Sequence, residues 1–231
     1  SRALVARGAR VVVLEMPGAT LEGSRLADLA VNEKLRLECA DVTDRSSLAA
    51  ALENIVATWE APSGLVNAAA LDTPPGAPAE ENGPFETYPE ASWDKVMEVN
   101  VKGVMLCCQV FGGAMAAAGR GSIVNIASTY GLVSPDQSLY EYRRARGEAF
   151  FKPVAYTASK SALYNLTRYL ATYWAPKGVR VNTLTPGGVF NGQDEDFLEG
   201  YNRRAPMGRM ARETDYDGAA IYMLSDASTY M

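Results

Sequence analysis

Short β-branched runs alternate with helical patterns along the whole chain, and this alternation constrains the fold more than any other feature. The run VVVLE at residues 11–15 and the run SIVNI at residues 122–126 are two examples. SIVNI is apolar on both faces, which is typical of strands covered by helices on two sides. The predicted strands are residues 10–15, 35–40, 64–67, 121–127 and 179–184.

Helical spacing fills the intervals between these strands. Leu48, Leu52 and Ile55, for example, recur every three or four residues. The predicted helices are residues 20–30, 44–60, 92–118 with Ser92 as N-cap, 155–175, 194–204 and 213–224; a Pro- and Gly-rich loop is expected at 73–89. With neither linker nor repeat, the pattern predicts one α/β domain over residues 1–231, a Rossmann-like doubly wound parallel sheet with helices on both faces.

The composition excludes several classes of function. The chain has no histidine, so Ser-His-Asp or Cys-His nucleophiles and His-ligated zinc are ruled out, and we predict no metal site. A net charge of −5 offers no basic field for nucleic acid. Cys39, Cys107 and Cys108 lack a disulfide or metal spacing, which indicates reduced thiols and a cytoplasmic location.

One apolar run raises the question of a membrane. Residues 103–119 are 17 residues without a charge, short of the roughly 20 that span a bilayer. We therefore interpret the run as a buried helix and expect no membrane partner. Its apolar residues surround the helix at 104–118, which indicates burial against a second subunit as well as the sheet.

Parallel α/β sheets bind ligands beyond the carboxyl ends of their strands, so residues at these ends are the candidate site. Glu15 ends the first predicted strand, where a carboxylate can accept hydrogen bonds from an adenosine ribose. Asp41 follows the second strand, and Asn67 and Ala68 begin a small-residue segment that a cofactor could approach. The structural alternatives are a solvated strand end for Glu15, a turn or cap for Asp41 and close strand packing for the small residues.

Ser128 follows the fourth predicted strand, residues 121–127. Tyr156 and Lys160 lie at the start of the helix predicted at 155–175. Their i, i+4 spacing places a phenol and an ammonium on one helix face. The phenol needs a cation nearby to act as a base near neutral pH, because burial alone raises its pKa. A second Y-x-x-x-K, at Tyr173 and Lys177, contains Pro176, which we expect to remove the shared face.

Taken together, these motifs resemble the short-chain dehydrogenase/reductase family. The resemblance extends over nearly all residues and rests on VVVLE (11–15), ADVTD (40–44), LVNAAA (65–70), EVNVKG (98–103), IVNIAS (123–128), YTASK (156–160) and VRVNTLTPGG (179–188). It implies a nicotinamide cofactor, and a homodimer or homotetramer formed through two long helices.

The resemblance also implies roles for individual residues. Tyr156 would be the general acid/base, Lys160 would hold the proton relay and bind the nicotinamide ribose, Ser128 would bind the reacting oxygen, and Asn100 would anchor a water linking Lys160 to solvent. Asp41 and Val42 would contact adenine. The segment containing Pro186, Gly187 and Val189 would hold the carboxamide.

The chain departs from the family pattern at its ends and in one connection. The family's first strand and its glycine-rich turn would precede Ser1, and a further strand would follow Met231; we therefore expect a chain incomplete at both ends, with unpaired strand edges and impaired cofactor binding. The connection 129–155 is about twice the usual length. Its Arg143, Arg144 and Arg146 suit either a lid that binds a carboxylate or phosphate, or a solvated or subunit-contact loop.

The sequence thus predicts an oxidoreductase that transfers a hydride between NAD and a secondary alcohol or ketone, with a sugar or polyol derivative as the small-molecule substrate. Glu15 is followed by Met16 and Pro17 instead of basic residues, which favours NAD over NADP. Two alternatives stay open. One is a 3-oxoacyl carrier-protein reductase that uses NADPH, and the other is a non-catalytic, truncated family member.

Overall fold

Parallel strands form the centre of the computed structural model, which describes residues 1–72 and 79–231. Within this part the strands are Val11–Glu15 (β1), Leu35–Cys39 (β2), Gly64–Asn67 (β3), Gly121–Ile126 (β4) and Val179–Leu184 (β5). The helices are Arg2–Ala6 (α1), Arg45–Thr58 (α2), Glu90–Ala118 (α3), Glu141–Ala145 (α4), Val154–Trp174 (α5), Glu195–Arg204 (α6) and Asp217–Leu224 (α7). The predicted strands are confirmed, whereas part of the predicted loop 73–89 lies outside the described residues.

Hydrogen bonds between the strands form two groups. β1 pairs with β2, and β3, β4 and β5 pair in that order, all in parallel. In the described part of the chain, β1 and β3 each bond to a strand on one side alone. Because the strands are parallel, their carboxyl ends lie at one edge within each group.

Helices cover both faces of the β3–β4–β5 group. Ile123 and Val181 pack in a cluster with Leu163 of α5 and Met115 of α3. Ser122, the neighbour of Ile123, points to the other face and donates to the Met223 carbonyl of α7 at 2.7 Å. The predicted α/β class with helices on both faces is therefore confirmed.

A second hydrophobic cluster lies beside β1 and β2. Leu48 and Ile55 of α2 pack with Leu106 and Phe111 of α3, and Val12 of β1 lies against them. The helix α2 begins where expected, since the Asp44 side chain accepts from Ser46 N and caps it.

The helix α3 contains the apolar run and is longer than that run. With 29 residues it is long and apolar enough to cross a membrane by length and composition alone. Its residues Val104, Phe111 and Met115 are nevertheless buried against the strands and neighbouring helices. This packing is that of a core helix, as the sequence predicts.

Two local predictions are wrong. The predicted helix 20–30 forms only a short turn at Ala27–Leu29. Its polar side chains bond to nearby amides instead: Thr20 Oγ1 accepts from Gly23 N at 3.1 Å and Ser24 Oγ accepts from Leu26 N at 3.0 Å, in competition with a helix. Ser92 is not an N-cap either, because α3 begins at Glu90 and the Ser92 hydroxyl donates to Glu81 at 2.5 Å.

Candidate active site

Tyr156 lies in the first turn of α5, where its ring is flanked by two ammonium groups. The Lys160 Nζ is 5.8 Å and the Lys152 Nζ 4.9 Å from the ring centroid. Burial is the largest influence on the phenol and raises its pKa, while the Ser128 hydroxyl lowers it and Asp72 raises it further. The phenol is therefore a neutral acid in this state, and it needs a nearby positive charge to become a base.

Ser128 follows β4 and faces the Tyr156 phenol. Its Oγ accepts a hydrogen bond from Tyr130 N at 3.2 Å, so its own hydroxyl hydrogen is left to be donated. Ser128 is buried. Its backbone is also fixed, since the Tyr164 hydroxyl of α5 donates to the Ser128 carbonyl at 2.9 Å.

Lys160 is buried one turn after Tyr156. Its Nζ donates to the Ile126 carbonyl at the end of β4 at 2.7 Å. Desolvation lowers the pKa of this ammonium from 10.5 to about 8, and Asp72 opposes the shift. Lys160 is therefore a cation that loses its proton more readily than an exposed lysine.

Asn100 is fully buried in a π-helical stretch of α3, Glu98–Gly103. Its side chain accepts from Leu71 N at 2.7 Å and donates to the Leu71 carbonyl at 2.8 Å. It also donates to the Ser159 hydroxyl at 2.9 Å. Asn100 thus ties the segment after β3 to α5, while its role as a water anchor stays a prediction.

The predicted adenosine residues lie at the ends of β1 and β2. Glu15 is exposed, and its Oε1 accepts from Met16 N at 3.0 Å. Asp41 Oδ1 accepts from both the amide and the hydroxyl of Thr43, the turn arrangement considered as its structural alternative. Val42 packs against Gly103 of α3.

Asn67 ends β3, but its side chain points into the interior. Its Nδ2 donates to Asn125 Oδ1 at 2.8 Å, and Asn125 donates in turn to the Thr167 hydroxyl at 2.9 Å. Only the backbone of Asn67 is left for a cofactor. The next residue, Ala68, is exposed.

The segment after β5 is held by residues that the sequence did not single out. Gly187 N donates to the Tyr216 hydroxyl at 2.9 Å, and Gly188 N donates to the Tyr201 hydroxyl at 2.7 Å. Val189 forms a bridge with Ala211. The two tyrosines come from α6 and the segment before α7, so no spacing in the sequence relates them to Pro186.

Two residues beside Tyr156 were not predicted from the sequence. Lys152 and Asp72 form an ion pair, and Asp72 raises the pKa of both Tyr156 and Lys160. Both belong to loops, one before α5 and one after β3. Strand and helix patterns carry no signal for such residues.

The arginines of the connection 129–155 are paired within the protein. Arg143 binds Glu148, and Arg146 binds Asp196 of α6. Arg144 donates to the carbonyls of Gln137 and Phe150, each at 2.8 Å. These contacts favour a packed structural role for the three arginines over the binding of a substrate anion.

The second Y-x-x-x-K pair keeps its contact in spite of Pro176. The α-helix ends at Trp174 and Lys177 lies in a 3-10 turn, so the predicted helix break is confirmed, although the Lys177 Nζ still lies 5.6 Å from the ring centroid of Tyr173. The pair is nevertheless at the other end of α5, next to the start of β5, and Tyr173 is 55% exposed. It cannot share a site with Ser128.

Known proteins resemble this chain in sequence and in fold. The family model described as "Enoyl-(Acyl carrier protein) reductase" matches residues 1–231. The chain is 33% identical over 236 residues to a galactitol 2-dehydrogenase (L-tagatose-forming) of Cereibacter sphaeroides, covering 100% of this chain and 84% of that protein.

Two solved structures are also similar. A short chain dehydrogenase of Leptospira borgpetersenii with bound NAD+ has a TM-score of 0.82 at 27% identity, covering 100% of this chain and 81% of the other. A gluconate 5-dehydrogenase of Burkholderia cenocepacia in complex with NADP and tartrate has a TM-score of 0.82 at 25% identity, covering 100% and 84%.

A Rossmann-like sheet with serine, tyrosine and lysine at its carboxyl edge defines an oxidoreductase that acts on CH–OH groups with a nicotinamide cofactor. The chain belongs to the short-chain dehydrogenase/reductase family.

The residues present fit such a cofactor in their chemistry. Glu15 presents an exposed carboxylate at the end of β1, which suits the acceptor role for ribose hydroxyls. At the end of β3, Ala68, Ala69 and Ala70 are small and exposed, so a ligand can approach the backbone. No group of three or more potential metal ligands occurs in the described ranges 1–72 and 79–231.

Proposed function

We propose that this protein oxidises a secondary alcohol of a polyol or sugar derivative to the ketone, with NAD as its cofactor. The observation that carries the proposal is the position of Tyr156, whose phenol faces Ser128 and lies on the same helix face as the buried Lys160. A bound nicotinamide supplies the hydride acceptor.

The three side chains divide the proton chemistry. The Ser128 hydroxyl, whose Oγ accepts from Tyr130 N, can donate its hydrogen to a substrate oxygen bound beside the Tyr156 phenol. The Tyr156 phenolate takes the hydroxyl proton from the alcohol, and the resulting neutral phenol can return that proton to the ketone oxygen in the reverse direction. Lys160 stabilises the phenolate that accepts this proton during oxidation, and its ammonium is held at the end of β4 by the Ile126 carbonyl.

Glu15 supports NAD over NADP. A carboxylate at the end of β1 accepts hydrogen bonds from the ribose hydroxyls and repels a 2′-phosphate. The residues that would hold NAD are Glu15, Asp41, Val42, Asn67, Ala68, Tyr156, Lys160, Pro186, Gly187 and Val189.

A polyol substrate is supported by the 33% identity to the galactitol 2-dehydrogenase over the whole chain. The test is initial-rate oxidation of galactitol and shorter polyols with NAD and with NADP, with Tyr156→Phe as the inactive reference. A kcat/KM at least tenfold higher with NAD supports the proposal. Turnover of 3-oxoacyl thioesters with NADPH and of no polyol would contradict it.

We also propose a cytoplasmic homodimer or homotetramer assembled through α3 and α5. Tyr169 and Tyr173 stack at 5.9 Å on the outer face of α5, although they are 63% and 55% exposed. Exposed aromatic pairs of this kind are common in subunit interfaces. Sedimentation velocity over a hundredfold concentration range tests this, since a monomer throughout would overturn it.

A further inference from the structure

An ion pair that the catalytic chemistry does not require lies next to the Tyr156 ring. The Lys152 ammonium binds the Asp72 carboxylate, and the same ammonium is 4.9 Å from the Tyr156 ring centroid. Lys152 immediately precedes Pro153 and α5, whereas Asp72 follows β3, so the pair joins two separate segments beside the phenol.

Both partners are held in place through their backbones. Gln137 Oε1 accepts from Lys152 N at 2.9 Å, and Gln137 Nε2 donates to the Lys152 carbonyl at 3.3 Å. On the other side, Asn100 binds both the amide and the carbonyl of Leu71, the residue before Asp72. The pair is therefore built from fixed segments and not from two free surface chains.

The two partners differ in their access to solvent. The Lys152 side chain is 14% exposed and the Asp72 side chain 46% exposed. A largely covered ammonium depends on a counter-ion, because an unpaired buried charge is strongly unfavourable. The Asp72 carboxylate is half-exposed, and within the described part of the chain its Oδ1 accepts no side-chain hydrogen bond. This oxygen can therefore accept a hydrogen bond from a ligand hydroxyl.

We propose that the Lys152–Asp72 pair selects uncharged polyhydroxy substrates and rejects hydroxy acids. Asp72 accepts hydrogen bonds from hydroxyls near the reacting carbinol and repels a substrate carboxylate. Lys152 would otherwise attract such a carboxylate, but its charge is compensated by Asp72. This inference rests on the proposed function and adds the substrate class to it.

Removing the charge of Asp72 tests the selectivity. In Asp72→Asn, the Lys152 ammonium loses its counter-ion, so an anionic substrate can take the place of that counter-ion. We expect the ratio of kcat/KM for gluconate to that for galactitol to rise at least tenfold, and tartrate to bind the NAD-loaded protein more tightly in calorimetry. The additional change Lys152→Met should abolish both gains.

The pH profile gives a second measure of the same charge. Four groups face the Tyr156 phenol: Ser128 after β4, Lys160 on α5, Lys152 before α5 and Asp72 after β3. Asp72 raises the pKa of Tyr156. Asp72→Asn should therefore move the acid limb of the pH–rate profile for galactitol oxidation to lower pH. A carboxylate with a structural role alone would leave this limb unchanged.

Two controls complete the experiment. Asp28→Asn removes an exposed ion pair with Arg2 that touches neither Lys152 nor Tyr156, and it should leave both the substrate ratio and the pH limb unchanged. Asp72→Glu keeps a carboxylate at this position and should therefore keep the parent chain's preference for the polyol. A melting temperature close to that of the parent chain shows that each variant is folded.

An unchanged substrate ratio in a folded Asp72→Asn variant would overturn this inference. That result is distinct from failure of the proposed function, in which the parent chain itself would not oxidise galactitol or any other polyol. If the parent chain prefers gluconate from the start, the selectivity assigned to the pair is wrong, although the oxidoreductase chemistry still holds.

Discussion

Lys160 donates from Nζ to the carbonyl of Ile126 at 2.7 Å, which places a buried ammonium at the end of β4, two residues before Ser128. The strand therefore positions the cation as well as the serine. The cost is desolvation, which lowers the pKa of Lys160 to about 8.

We expect Lys160→Met to stabilise the protein at pH 7 while it reduces activity. The pKa of Lys160 is near 10.5 in the unfolded chain and about 8 in the folded chain. Below pH 8 the lysine is charged in both states, so the folded protein carries the full free-energy cost of burying the charge. The gain should be on the order of 3 kcal/mol at pH 7 and should vanish as the pH rises from 8 to 10.5. Urea unfolding at several pH values measures it; a gain that grows with pH would contradict the assignment.

Tyr156→Phe should lower kcat for alcohol oxidation by about 10² to 10⁴ and change the affinity for NAD far less. The phenol oxygen takes part in proton transfer, whereas the ring is kept in the variant. Tyr173→Phe is the matched control, because Tyr173 also lies 5.6 Å from a lysine ammonium but outside the site. Steady-state kinetics and calorimetry with NAD decide the outcome; equal activity of the two variants would exclude Tyr156 as the acid/base.

Glu15→Ser should reduce discrimination against NADP by about tenfold or more. The substitution removes the carboxylate that repels a 2′-phosphate and that accepts hydrogen bonds from the ribose hydroxyls. Because Glu15 is exposed and bonds only its neighbouring amide in the described structure, the fold should tolerate the change. The measurement is the ratio of kcat/KM for NAD and NADP, and a ratio equal to that of the parent chain would assign cofactor choice to another residue.

Neighbouring glycines of α3 should respond to alanine in opposite directions. A Cβ at Gly112 would lie 2.6 Å from the Trp174 ring and 3.0 Å from Ile123, so Gly112→Ala should destabilise the protein by about 1 to 3 kcal/mol. A Cβ at Gly113 meets nothing within 4 Å, so Gly113→Ala should stabilise the helix by about 0.5 to 1 kcal/mol. Thermal unfolding of both variants compares them directly.

The sequence was sufficient to predict the strands and the residues directly attached to their ends. Ser128 and Glu15 are candidates from the strand positions, and Tyr156 and Lys160 from their spacing on a helix, while the roles assigned to them rest on the family resemblance. Lys152 and Asp72 could not be found in this way, because loop backbones bring them together and no periodicity describes a loop. The helix expected at 20–30 failed for a related reason, since Thr20 and Ser24 bond locally in a way that hydrophobic spacing does not show.

The position of β4 between two hydrogen-bonded strands has a consequence for local stability. β4 pairs with β3 on one side and with β5 on the other, and its Ile123 belongs to the apolar cluster that includes Leu163 of α5. The amides of β4 should therefore be among the last to exchange with deuterium. The strand that ends at the Ile126 carbonyl, the acceptor for Lys160, would then stay folded while loops and termini open locally.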